Sequence, residues 1–193
     1  RSRMVTCNTN QREMALAMVS AKITGAGTFP GWAHEVKTVS GNTFAVPWTF
    51  KLLPLIEEVT IRDQILNGDI NFPTDDPPVI SLFNCPSDAS TNPDVGTLTY
   101  VVNTGMADPT GTIPANIEKS DLEANGVCHD QRSGRKGPAV KSGASDIKDG
   151  ETKTLLLSEN VHRDTQNSSV NVSWLGPVQT QPLTPKGNDP ALN

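Results

Sequence analysis

Aromatic side chains are scarce in this sequence, at 5% of 193 residues with a single tyrosine. With 15 glycines and 15 prolines the chain spends much of its length on turns and connections, so a modest core under many loops is expected. Positive charge is also in deficit. Sixteen Lys and Arg against 21 Asp and Glu give a net charge of −5, which excludes a general nucleic-acid binder with a basic face for phosphates. Arg132, Arg135, Lys136 and Lys141 make a locally basic stretch, but no aromatics are interleaved for base stacking, and it reads as a solvated loop. No apolar run reaches the roughly 18 residues a helical membrane span requires. The three cysteines show no paired spacing of a zinc site; Cys128-His129 near Asp130 stands alone.

What is present begins with a helical period. Met4, Val5, Cys7, Met14, Ala15, Leu16, Met18, Val19, Ala21 and Ile23 are expected on one wide apolar face, opposite Thr6, Thr9, Asn10, Glu13, Ser20 and Thr24. Gly25-Ala26-Gly27 should end this helix, and Phe29-Pro30-Gly31-Trp32 reads as a turn. The chain starts inside the helical pattern without an N-cap, like a helix cut in its middle.

Pro54 suits the first turn of a second helix, expected from about Pro54 to Leu66 and ending at Asn67-Gly68. Strand composition marks Val79–Phe83, Leu98–Asn103, Lys153–Glu159 and Val170–Leu175, with Cys85-Pro86-Ser87-Asp88 and Asp149-Gly150 as turns. Residues 105–145 are long and polar, a variable loop or small subdomain, and 177–193 form an irregular tail of a chain that otherwise suits one domain, 1–193.

Read in order, these segments carry a resemblance. Cys7-Asn8 with Leu16-Ala17, Phe29-Pro30-Gly31, Trp48 with Leu52-Leu53-Pro54 and Glu57, Phe83 with Cys85-Pro86-Ser87-Asp88, Tyr100-Val101-Val102-Asn103, and Asp149-Gly150 with Thr152, Thr154 and Glu159 follow one another. Over most of residues 4 to 160 this resembles the bacterial prepilin-type domain of unknown function whose C-terminal signature is H-x9-D-G, a relative of type IV pilins and type II secretion pseudopilins. The chain departs from that pattern by lacking the leader with its apolar half-helix and the C-terminal His spaced from Asp-Gly.

The resemblance implies an α+β, pilin-like fold in which a long N-terminal helix, residues 1–24, packs on an antiparallel sheet. It implies a non-catalytic protein of the periplasm or cell surface, held to the inner membrane by a preceding helix. Its partners would be other pilin-like subunits or a secretion assembly. Because Cys7 and Cys85 both fall in the family-like motifs, the resemblance favours their pairing; a free, buried Cys7 with Cys85 joined to Cys128 is the alternative. Closing a loop of about eighty residues stabilises by roughly 4 kcal/mol in the chain-entropy account. Pro86, Ser87, Asp88, Asp149, Gly150 and Glu159 are then structural motif residues.

Catalytic and ligand readings are weaker. Cys85 with His34, His129 or His162 lacks any local signature of a nucleophile and base, so no catalytic residue is assigned. Asp75, Asp76, Asp88, Asp146, Asp149 and Glu159 could supply oxygens to calcium, but acidic residues in turns more often cap or face solvent; no cofactor is expected. Asn167 and Asn171 sit in glycosylation sequons that mean little in a bacterium. Trp32, Trp48 and Trp174 could offer stacking faces to a sugar, which makes an extracytoplasmic solute- or glycan-binding module the alternative function, although core packing is the preferred reading of these rings.

Overall fold

A run of 23 residues without Gly or Pro forms the long helix α1 (Ser2–Thr24) of a computed structural model that describes residues 2–70, 75–88, 96–105, 126–132, 140–159 and 173–175. Lys22 lies in its last turn, where a cation suits the exposed carbonyls. The exit is tied by Gly25 N–H to the Ala21 carbonyl (2.8 Å) and Gly27 N–H to the Lys22 carbonyl (2.9 Å). Two consecutive residues take the left-handed conformation there, Ala26 at φ 62° and Gly27 at 83°.

A hairpin follows that the sequence reading did not contain. Strands β1 (Ala33–Lys37) and β2 (Thr43–Pro47) pair antiparallel, with Ala33 opposite Pro47 and Lys37 opposite Thr43, across a turn in which Gly41 has φ 92°. The helix expected over 54–66 starts later, at Val59, and a further short helix precedes the expected range. Helix α2 (Trp48–Leu52) runs into a 3-10 turn, Leu53–Leu55, and α3 (Val59–Asn67) is separate. Glu57 at φ 66° breaks the path between them. Gly68 at φ 87° closes α3, where Asn67-Gly68 was expected to end it.

Val79–Phe83 is not a strand. Its last three residues form a 3-10 turn, Ser81–Phe83, that drives Phe83 fully into the core. The second sheet consists of β3 (Tyr100–Val102) and β4 (Leu157–Glu159), antiparallel, with Tyr100 opposite Glu159 and Val102 opposite Leu157. Both lie inside expected strand segments, but Lys153 closes a 3-10 turn, Glu151–Lys153, that starts after Gly150 at φ 86°. Of the expected Val170–Leu175 strand only 173–175 are described, where Ser173 forms an antiparallel bridge to Thr97.

The result is an α+β fold of one long helix with small antiparallel sheets. Helix α1 packs on α2, on the 53–55 and 81–83 turns and on β4. Cys7, Met14, Ala17 and Met18 supply its buried side to a core completed by Phe29, Val46, Trp48, Phe50, Leu52, Leu53, Ile65, Phe83, Tyr100, Val127 and Trp174. Trp174 anchors one end of that core. Its ring stands 5.6 Å from Phe83, its Nε1–H donates to the Pro78 carbonyl (2.7 Å), and its carbonyl accepts from Thr49 Oγ1 (2.5 Å). Gly96 makes the approach feasible, since a Cβ there would lie 2.6 Å from Trp174 Nε1.

Within the expected peripheral stretch 105–145, residues 106–125 and 133–139 lie outside the described residues, as does the 177–193 tail. The described part joins the core. Val127, Cys128, His129, Asp130, Arg132 and Ser142 are all buried. Segment 126–132 lies along the turn before β1, with Trp32 N–H donating to the His129 carbonyl (3.1 Å) and Gln131 N–H to the Ala33 carbonyl (2.9 Å). Gly31 permits this, because a Cβ at that position would sit 2.0 Å from the His129 carbonyl oxygen.

Candidate functional site

Helix α1 has two apolar sides. Its core side carries Cys7, Met14, Ala17 and Met18, whereas Val5, Leu16, Val19 and Ile23 are 64%, 51%, 41% and 74% exposed. At 100° per residue these two sets centre about 180° apart. The single wide face read from the sequence therefore resolves into a buried stripe and an opposite, solvent-facing one. Leu16, Val19 and Ile23 sit at i, i+3 and i+7, so their side chains adjoin one another along the helix. An adjoining apolar stripe differs from singly scattered surface aliphatics, which need no explanation.

At the second turn of the same helix a disulfide joins Cys7 to Cys85, with Cα atoms 4.9 Å apart. This is the pairing the family-like motifs favoured, and Cys128 is the free, buried cysteine. Several bonds fix the 81–88 turn, against α1 and against the 97–99 segment. Asn10 Nδ2 donates to the carbonyls of Asn84 (3.0 Å) and Ser81 (3.3 Å), Cys85 N–H donates to Thr99 Oγ1 (2.7 Å), and Thr97 Oγ1 donates to Asn84 Oδ1 (2.7 Å). Asp88 N–H donates to the Cys85 carbonyl (2.9 Å), closing the Cys-Pro-Ser-Asp turn with Pro86 and Ser87 exposed. Tyr100 reaches the Cys7 carbonyl through its hydroxyl (3.4 Å), and burial, aided by the Glu159 charge, pushes its phenol up to about 12. Glu159 ends β4 close by: one carboxylate oxygen and both cysteine sulfurs lie within 4.8 Å of one another.

The far end of α1 is pinned by Lys22, which pairs with Glu151 and stands 4.7 Å from the centre of the Phe29 ring. Asp149-Gly150 supplies the turn that brings Glu151 there, through Gly150 N–H to Ile147 O and Lys153 N–H to Gly150 O, both 3.0 Å. Asp146 is exposed, and one of its carboxylate oxygens, Oδ2, accepts from Gly143 N–H (2.7 Å).

A buried polar cluster lies under Trp32. Arg132 donates to both oxygens of Asp130, at 2.6 Å from Nη2 and 3.0 Å from Nε, with the two side chains almost wholly removed from water. The Arg132 guanidinium stands 5.7 Å from the Trp32 ring centre. His129 Nε2 and Ser142 Oγ are 2.8 Å apart, both buried. His34 on β1 is only 7% exposed, and its Nε2 has no hydrogen-bond partner among the described residues. Burial, followed by the Lys51 charge and, more weakly, Lys141, lowers its pKa to about 3 against the pull of a hydrogen bond to the Gly31 backbone. None of this was visible in the sequence, where 126–132 reads as polar loop.

The chemical candidates separate accordingly. Cys85 is bonded to Cys7 and is not a thiolate; His34 and His129 belong to the cluster under Trp32; His162 lies outside the described residues, as do Asn167 and Asn171. Cys128 is fully buried and burial pushes its thiol up to about 12. Among the described residues the acidic set does not converge, and the one group of metal-ligating type is Cys7, Cys85 and Glu159. Of the three tryptophans, Trp48 and Trp174 are buried and Trp32 is partly exposed. Among the described residues no helix is long and apolar enough to cross a membrane.

The architecture is thus that of an α+β domain built on a long, disulfide-stapled helix with an uncovered apolar stripe. The chain belongs to the family described as a protein of unknown function (DUF1559, SBP_bac_10), which matches residues 1–185. That match carries the family and not the H-x9-D-G signature specifically. No curated protein and no solved structure matches the chain.

Proposed function

We propose that this chain is the ectodomain of a membrane-anchored, pilin- or pseudopilin-like protein of the periplasm or cell surface, acting by assembly or binding rather than by catalysis. The observation that supports this reading is the outer stripe of α1, Val5, Leu16, Val19 and Ile23, left exposed on a helix whose opposite side is fully engaged in the core. Apolar area on a folded domain gains free energy when another apolar surface covers it, at about 25 cal/mol per Å². The occupant we propose is the same stripe of neighbouring subunits, packed helix against helix.

The test is site-directed photocrosslinking in membranes of the native host. A crosslinking residue at position 16 or 23 should capture a second copy or a pilin-like partner, and Val19→Glu with Ile23→Glu should abolish capture without lowering the unfolding temperature. Monomer only, or crosslinks that survive the double change, would reject assembly through this face. Reading the coding sequence upstream of Arg1 tests the anchor: a short basic leader ending in Gly and about 20 apolar residues are expected, and an ordinary cleaved signal peptide refutes it.

A further inference from the structure

We infer that Cys7, Cys85 and Glu159 form a thiol-gated site for a soft or borderline divalent cation such as Zn2+ or Cd2+, closed while the two sulfurs are bonded and opened by their reduction. The three residues come from three different elements: α1, the turn after Ser81–Phe83, and the end of β4. One ligand atom from each lies within 4.8 Å of the other two. Tetrahedral coordination with metal–sulfur bonds near 2.3 Å places two thiolates about 3.8 Å apart and a carboxylate oxygen about 2.0–2.2 Å from the metal. The three ligand atoms already lie within 4.8 Å of one another, and reduction lets the bonded sulfurs part toward the tetrahedral spacing.

The scaffold keeps them together after the bond is cut. Asn10 to Asn84 and Ser81, Thr99 to Cys85 N–H, and Tyr100 to the Cys7 carbonyl are ties that do not involve the sulfurs. Glu159 is exposed whereas both cysteines are buried, so the cation enters from the Glu159 side and retains a water in its fourth position. Two thiolates select a thiophilic cation over calcium or magnesium.

The gating step balances. A dithiol reductant supplies two electrons and two protons; the Cys7–Cys85 bond breaks, two thiols form, and the reductant leaves as its own disulfide. Each thiol then releases its proton to solvent as a metal–sulfur bond forms.

The full chain, reduced with a dithiol and desalted under nitrogen, is titrated with Cd2+ while the thiolate-to-metal absorption in the near ultraviolet and the far-ultraviolet circular dichroism are followed. The expected result is one Cd2+ per chain in the reduced protein, none in the oxidised protein, an unchanged titration for Cys128→Ser, and loss of the band for Cys85→Ser. Glu159→Gln should weaken binding at least about tenfold, the scale on which metal-site changes act, while keeping the thiolate band. Equal binding by the oxidised protein, unfolding or no binding on reduction, dependence on Cys128, or wild-type affinity in Glu159→Gln would each overturn the assignment.

Discussion

Replacing His34 by leucine should flatten the dependence of stability on pH. In the folded protein burial and the Lys51 and Lys141 charges hold the imidazole neutral down to about pH 3, whereas its ordinary value is 6.5. The unfolded chain therefore binds the extra proton first as pH falls, and stability is lost between about 6.5 and 3. One factor of ten in proton affinity is worth 1.36 kcal/mol, so this one ring withdraws about 2 kcal/mol between pH 7 and pH 5 and about 4 kcal/mol by pH 3. For a chain of this length 2 kcal/mol corresponds to roughly 4–8 °C in unfolding temperature. The assay is thermal or urea unfolding of wild type and His34→Leu at pH 7, 6 and 5, above the range where most carboxylates titrate. His129 and His162 are present in both proteins and cancel in the difference. Parallel loss of stability in the two proteins across that window would refute the reasoning.

Three further outcomes are expected. Asp130→Asn should cost about 3–5 kcal/mol, because it removes the carboxylate charge paired with the buried Arg132 guanidinium, while Asp130→Leu combined with Arg132→Met should cost less than the single change; urea unfolding of wild type and the two variants decides it. Gly31→Ala should destabilise by at least about 2–3 kcal/mol, because its methyl would fall 2.0 Å from the His129 carbonyl oxygen, and Gly143→Ala, with 3.0 Å to the Gly27 carbonyl oxygen, should cost less in the same measurement. An alkylating thiol reagent at pH 8 should find no reactive cysteine in the native oxidised protein and one after unfolding without reductant, since Cys128 is buried with its thiol pushed up to about 12.

The parts of this fold legible in the sequence are those with local causes. Helix α1 shows as a long run without breakers, and its end shows as Gly25 to Gly27. The split between α2 and α3 does not, because it rests on Glu57 in a left-handed conformation, which a glutamate does not announce. The β1–β2 hairpin was missed although Gly41-Asn42 marks its turn, because His34, Glu35 and Lys37 spoil the alternation of a half-buried strand. Segment 126–132 reads as solvent-loving, yet its polar groups are buried because they find partners within it and at Phe29, Trp32, Ala33 and Ser142, ten to a hundred residues away in sequence. The Cys7–Cys85 pairing came from family-like motifs, and the opposite apolar stripe of α1 became visible only once the core side of the helix was fixed.

The staple at Cys7 also decides how the domain bears a mechanical load. Tension applied to α1 ahead of residue 7 crosses directly to residue 85 through a covalent bond, bypassing a separation of 78 residues. The hairpin, α2 and α3 all lie inside that bypass. A pull along the first turns of the helix thus reaches the 81–88 turn and the β3–β4 pair without peeling the helix from the core, and the closed loop can lose its packing without lengthening the path that carries the force.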